Sequence, residues 1–266
     1  MAVAAPGSRT MSHLSLRSLA IQQGERLLCK DLNLEISKGE SWLILGENGC
    51  GKSTLLATLA AWLKPAAGKI LLNQRPLKEW PGHERAKEIA WLSQQDDCPF
   101  PLSVIEKVLS GRHPHQGPWD WESQEDLRLA DEQLARLDLS DLKHRDLATL
   151  SGGERRRASL AATLAQQAPL ILLDEPLSQL DLRHQQQALS VLREENQAGR
   201  TLLMVSHDPN HAQQWASHVL LMFGDGQWLA GPTSEIMNSK NLSALYRTEI
   251  RSASIEGQEW FIPLPR

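Results

Sequence analysis

Cysteine is scarce in this chain of 266 residues: Cys29, Cys50 and Cys98 are all it has. No two form a C-x-x-C pair, and the number is odd. That argues against a disulfide framework or a zinc site and for a reducing compartment. Long apolar runs are missing too. No stretch reaches about 18 apolar residues, so no segment is expected to span a bilayer. The start of the chain lacks the apolar core of a secretory leader. Residues 1–12 draw on Ala, Gly, Ser and Pro and are expected to form a disordered tail, with Met11 an alternative start. There is no surplus of positive charge. The formal net charge of −4 gives no reason to expect nucleic acid as a partner. The short basic run Arg155-Arg156-Arg157 reads as a solvated helix face. Internal repeats are absent.

What remains is ordinary globular composition, 41% hydrophobic and 23% charged. The length suits one large domain, or a domain with a sizeable subdomain. Short strands are expected at Leu14–Leu19, Leu32–Ile36 and Ser41–Leu45, with turn chemistry at Gly24-Glu25 and Lys38-Gly39. Trp42-Leu43-Ile44-Leu45 is apolar throughout, as suits a strand buried on both faces. Leu55–Leu63 has helical spacing, with Leu55, Leu56, Leu59 and Trp62 on one side, ended by Pro65 and Gly68. Lys69–Leu72 and Ile89–Leu92 read as strands. Beyond Gln94 the character changes. Helical stretches at Val104–Leu109 and Gln124–Leu137 read as a helical subdomain inserted into an α/β core. A helix at Gly153–Gln167 returns the chain to that core. Strands follow at Leu170–Leu173 and Leu202–Val205. Val219–Met222 and Gln227–Ala230 then form a hairpin through Gly224-Asp225-Gly226.

Three stretches carry chemistry. The strand Trp42–Leu45 runs into Gly46-Glu47-Asn48-Gly49-Cys50-Gly51-Lys52-Ser53-Thr54, and a helix follows. This is a GxxxxGK[ST] phosphate loop in its strand–loop–helix setting. The glycines let backbone N–H groups turn inward on phosphate oxygens. Lys52 is placed for the β- and γ-phosphates, and the Ser53 hydroxyl for Mg²⁺. Cys50 reads as a small loop residue, not a nucleophile. The second stretch, Leu170–Leu173, is an apolar strand ending in Asp174-Glu175. That strand is expected beside the first, with its acidic end at the same phosphates. Asp174 is the expected Mg²⁺ residue and Glu175 the expected general base for an attacking water. Third, Leu150-Ser151-Gly152-Gly153-Glu154 sets a hydroxyl, two bare backbone units and a carboxylate at a helix start. Such a start offers free N–H groups and the positive end of a dipole to a phosphate.

In that order, these stretches resemble an ATP-binding cassette (ABC) ATPase, and the likeness covers nearly the whole chain. It implies an α/β P-loop NTPase core with an antiparallel β subdomain and an inserted α-helical subdomain. The expected limits are 13–240 for the ATPase domain, about 95–165 for the helical subdomain, and 241–266 for a C-terminal extension. Leu150–Glu154 resembles the signature sequence. Gln94 is similar to the family's glutamine that senses Mg²⁺ and the γ-phosphate, and His207 to its γ-phosphate histidine. Leu177-Ser178-Gln179-Leu180-Asp181 resembles the D-loop, with Gln179 where a small residue is more usual. His113, His115 and His211 receive no site role. The resemblance also implies a head-to-tail homodimer, in which Ser151, Gly152 and Gly153 of one copy close on the ATP held by Lys52 of the other. Gln23 stands where the family often has an aromatic stacked on adenine, so weak discrimination between ATP and GTP is expected.

Residues 98–115 are similar to ATPases of iron-chelate, haem and vitamin B12 importers, and Ala90–Gln95 and the tail 241–266 resemble the vitamin B12 importer ATPase. The partners this implies are transmembrane permease subunits and, through them, a periplasmic substrate-binding protein. The expected location is the cytoplasmic face of the inner membrane, held peripherally. The alternative is a soluble non-transport ABC ATPase, such as a partner in iron–sulfur cluster assembly.

Overall fold

A computed structural model describes residues 12–94, 101–117 and 120–264. The tail expected at 1–12 lies almost wholly outside these residues, as does the Cys98-Pro99-Phe100 part of the 98–115 stretch.

The elements run β1 (Ser12–Gln23), β2 (Arg26–Ser37), β3 (Ser41–Leu45), α1 (Lys52–Leu59), β4 (Ala67–Leu72), β5 (Arg75–Pro76), α2 (Gly82–Glu88) and β6 (Ile89–Leu92). Next come α3 (Val104–Ser110), α4 (Gln124–Arg136), α5 (Gly152–Ala165), β7 (Leu170–Asp174), α6 (Leu182–Gln197), β8 (Thr201–Val205) and α7 (Asn210–Trp215). The chain closes with β9 (His218–Met222), β10 (Trp228–Pro232), α8 (Thr233–Ile236), α9 (Ser239–Tyr246), β11 (Ile250–Ile255) and β12 (Gln258–Pro263).

A six-stranded sheet in the order β10-β9-β3-β8-β7-β6 forms the centre. Its strands are parallel except for the edge strand β10. β3, β7 and β8 are buried at every position, which is why they read as unbroken apolar runs. Beside it lies an antiparallel sheet, β2-β1-β4-β5. The α/β class with an antiparallel sheet thus appears as expected. One detail differs. β7 does not lie beside β3, because β8 pairs with both and separates them. All three strands are parallel, so their C-terminal ends still open on one edge.

Apolar side chains split between the two faces of the central sheet. Leu14, Leu19, Leu32, Leu55 and Leu72 join Ile44 and Leu172 on one face. Val108, Ala130, Leu134, Ala158 and Ala161 of α3, α4 and α5 belong to the core on the other, with Leu43 and Leu173. Within that helical group, Arg112 Nε donates to Asp126 Oδ1 at 2.7 Å with both side chains buried. Burial works against the charged Asp126, but hydrogen bonds from Arg112 and Ser123 outweigh it and hold the carboxyl at about 2.

α1 stops four residues short of the expected Leu63. Ala61 takes a left-handed φ of 61°, and the N–H groups of Trp62 and Leu63 both turn back to Ala57 O. Trp62 therefore leaves the apolar stripe and is 76% exposed. α2, α6, α7, α9 and the β11–β12 hairpin lie outside the sequence expectations. Residues 241–264 fold onto the core: Leu242, Leu245, Ile250 and Phe261 are buried with Ala212 and Trp215. No helix among the described residues is long and apolar enough to cross a membrane.

Candidate functional site

The turn from β3 into α1 makes the first cleft. Gly51 caps α1 at φ 107° in the left-handed region. A Cβ there would also stand 2.8 Å from Leu28 Cβ, so both backbone and space demand glycine. Lys52 is buried, and its Nζ crosses the loop to donate to Gly46 O at 2.8 Å and Glu47 O at 3.0 Å. Cys50 is buried, and burial pushes its thiol up. That disfavours the thiolate a nucleophile needs.

The strand ends bring the remaining groups in. Asp174, the last residue of β7, is 1% exposed. Burial pushes its carboxyl up, opposed by a hydrogen bond from Ser53. Asp174 Oδ1 is buried without a hydrogen-bond partner. Glu175 follows with a left-handed φ of 51° and donates its N–H to Val205 O at 3.2 Å. Gln94 Nε2 donates to Glu175 Oε1 at 3.3 Å, and His207 Nε2 lies 2.6 Å from the same oxygen. An ionised carboxylate only accepts, so Nε2 carries the proton in that pair. Gln23, Asn48, Gly49, Gly51, Lys52, Ser53, Thr54, Gln94, Glu175 and His207 line one cleft of about 560 Å³.

Ser151, Gly152, Gly153 and Asp181 line a different cleft, also about 560 Å³, with Glu154, Arg157, Gln179, Leu180 and His184. Within one chain these residues are not brought to Lys52. Ser151 caps α5 as the sequence suggested. Its Oγ accepts from Glu154 N at 3.2 Å, and Glu154 Oε2 accepts from Ser151 N at 2.7 Å, a reciprocal capping box. A Cβ on Gly152 would meet the Gln179 amide oxygen, the movable end of a flexible side chain, whereas a Cβ on Gly153 would stand 2.9 Å from the backbone carbonyl oxygen of Gln179. The carboxylate of Asp181 is engaged locally. It caps α6 by accepting from His184 N at 2.9 Å and lies within 3.0 Å of His184 Nδ1.

The basic run is not the solvated face expected of it. Arg155 is exposed, but Arg156 and Arg157 are buried. Arg156 Nη1 donates to Ser93 O at 2.7 Å, and its Nη2 bonds to Asp174 O. Arg157 Nη1 donates to Leu137 O and Asp138 O. Sequence reasoning missed Arg156 as a site residue. It sits four residues, one helical turn, before the buried Leu160 on α5, and that phase was the available signal.

The sequence profile of the family described as ABC transporter matches residues 29–178. Relatives at 34–40% identity over most of the chain are iron-siderophore, haem and enterobactin import ATP-binding proteins. The petrobactin import ATP-binding protein FpuD of Bacillus anthracis is 38% identical over 237 residues, 89% of this chain and 87% of that one. A chain from an ABC transporter assigned to the metal-chelate type, solved in an inward-facing conformation, superposes with a TM-score of 0.83 at 32% identity. It covers 96% of this chain and 98% of that one. The dimeric bacterial ABC transporter cassette MJ0796 gives 0.74 at 26% identity, covering 82% and 98%. This chain belongs to the ABC transporter family and is its ATP-binding subunit, an ATPase.

Proposed function

We propose that this chain is the ATP-hydrolysing subunit of an importer for a metal chelate, drawn from iron siderophores, haem and cobalamin. The observation that carries the reading is the division of the expected ATP contacts between two separate clefts of one chain. A single copy then holds half of each site, and a head-to-tail homodimer completes two. The relatives' names support iron-siderophore and haem cargo; the likeness of 90–95 and 241–266 is the reason cobalamin stays among them. The partners are permease subunits and, beyond them, a periplasmic binding protein. The chain sits at the cytoplasmic face of the inner membrane.

Within the Lys52 cleft, backbone N–H groups of 46–54 hold phosphate oxygens and Lys52 neutralises the β- and γ-phosphates. The donor set fits Mg²⁺. A buried carboxylate oxygen on Asp174 has no hydrogen-bond partner, the Ser53 hydroxyl bonds the same carboxyl, and Gln94 lies at the rim. When bound, the ion would supply charge neutralisation for the phosphates. Glu175 is the general base. Gln94 and His207 both meet its Oε1, which fixes the carboxylate's orientation for a water proton. Ser151 and Gly153 of the second copy close over the γ-phosphate from the N-terminus of its α5.

Transport assays in membranes holding the co-purified permease test the reading, with labelled ferric siderophore, haem and corrinoid in parallel. ATP-dependent uptake of one of the three is expected. Co-purification with a soluble partner and no integral membrane protein would overturn it.

A further inference from the structure

The loop after β8 carries His207, whose side chain is half exposed. A ring in that setting keeps one geometry only if its backbone is fixed in advance. Local bonds contribute. Ser206 Oγ pairs with His211 Nδ1 at 2.8 Å and accepts from Asp208 N at 3.2 Å. Asp208 Oδ1 accepts from Asn210 N at 2.8 Å. The long-range tie is the amide of Asn210. Its Oδ1 accepts from Phe261 N at 2.8 Å, and its Nδ2 donates to Phe261 O at 3.3 Å. The side chain thus pairs with β12 much as a neighbouring strand would. Phe261 is 2% exposed in the core shared with Ala212 and Trp215 of α7, so this anchor is firm. A second contact reaches the other rim of the cleft: Arg247 Nε lies 3.7 Å from Glu47 Oε2. Arg247 is 71% exposed, and ion pairs in water contribute little. The part-buried amide pair therefore dominates.

We infer that Asn210 is a positioning residue for hydrolysis: through Phe261, the C-terminal hairpin braces the loop that holds His207 against Glu175. The inference rests on the reading of His207 and Glu175 given above. Residues beyond 249 thereby serve the nucleotide site without touching nucleotide.

The test uses the full chain with Asn210→Ala. Asn210→Asp, which keeps the acceptor for Phe261 N, stands in if the alanine variant does not fold and is expected to lose less. Asn210→Ala should lower kcat for ATP by about tenfold to 10²-fold, the scale of a displaced catalytic group, with KM within about twofold. In a His207→Ala background the same change should cost nothing further, since residues acting as a unit are non-additive. The amides of Ser206, His207, Asp208 and Asn210 should exchange with solvent about tenfold faster. An unchanged kcat, a full additive loss without His207, or unchanged exchange would each overturn the inference. Exchange does not depend on turnover, so a chain that failed to hydrolyse ATP would refute the site reading while exchange still decided this one.

Discussion

The Lys52 cleft and the Ser151 cleft enclose the same volume, about 560 Å³, but are built differently. The first is a meeting of strand ends. β3, β7 and β8 each deliver one loop to it, and Gln94 and His207 are joined through a single oxygen of Glu175. The second is one helix start with a capping box and an adjoining loop, and its acidic groups are already engaged by Ser151 and His184. The first has a cation, a hydroxyl and an unpaired buried carboxylate oxygen. The second offers backbone N–H groups and a dipole, and the cation in its lining, Arg157, already donates to the Leu137 and Asp138 carbonyls. On the proposed reading, the first binds and activates while the second completes a partner's site. This difference is the physical reason a single copy should bind nucleotide and yet hydrolyse it poorly.

The sharpest way to break that contrast is Glu175→Gln. It should leave ATP binding intact and lower hydrolysis by about 10²–10⁴-fold, the usual worth of a general base. Single-turnover hydrolysis at the unmodified rate would refute Glu175 as the base. Ser151→Arg strikes the other cleft. Nucleotide binding should survive, while steady-state ATPase activity falls by about 10²-fold because the second copy no longer closes. Unaltered turnover would show that the site is not shared.

Acidification is expected to weaken the fold through one buried ring. His13 on β1 pairs with Thr201 on β8 at 2.8 Å and is buried beside the P-loop half of the core. Burial, with Lys38 adding to it, lowers its ring to about 4. The unfolded chain binds a proton near 6.5 and the folded chain does not. Stability is therefore full above about 6.5 and is lost as pH falls towards 4, by roughly 2–4 kcal/mol. Urea melts of the unmodified chain and His13→Asn should show the loss only in the former; equal slopes would refute it. The smallest effect is expected at Gln23, an exposed residue lining the first cleft. Gln23→Tyr should tighten ATP binding by about fivefold or more through stacking. The unmodified chain should hydrolyse ATP and GTP at similar rates, and a strong preference for ATP there would sink the idea.

Contiguous features were legible. The phosphate loop, Asp174-Glu175 and the Ser151 cap each declare themselves within a few residues, because each needs local backbone geometry, whereas His207 was assigned only through the family resemblance. Features set by distance in the fold were not. β8 enters between β3 and β7 from more than 25 residues downstream of β7, and no local pattern announces it. Arg156 looked like surface because a charge run has no visible phase until the helix is docked. α6 was readable in retrospect, from Asp181 as its cap and Ala188, Leu189, Val191 and Leu192 on its buried side. So was the last hairpin. Glu256 and Gly257 both take positive φ, the two-residue turn that an acidic-residue–Gly pair favours between strands.

Arg156 has a mechanical meaning. It lies five residues past Ser151, about 7.5 Å along a stiff helix. Its guanidinium grips the carbonyls of Ser93 and Asp174, the residues just before Gln94 and Glu175. In the proposed dimer, the end of α5 that would face a neighbouring copy is therefore in series with the two loops that carry Gln94 and the proposed base, Glu175. A displacement at one cleft is a load on the other, transmitted through a single arginine without a soft joint between them.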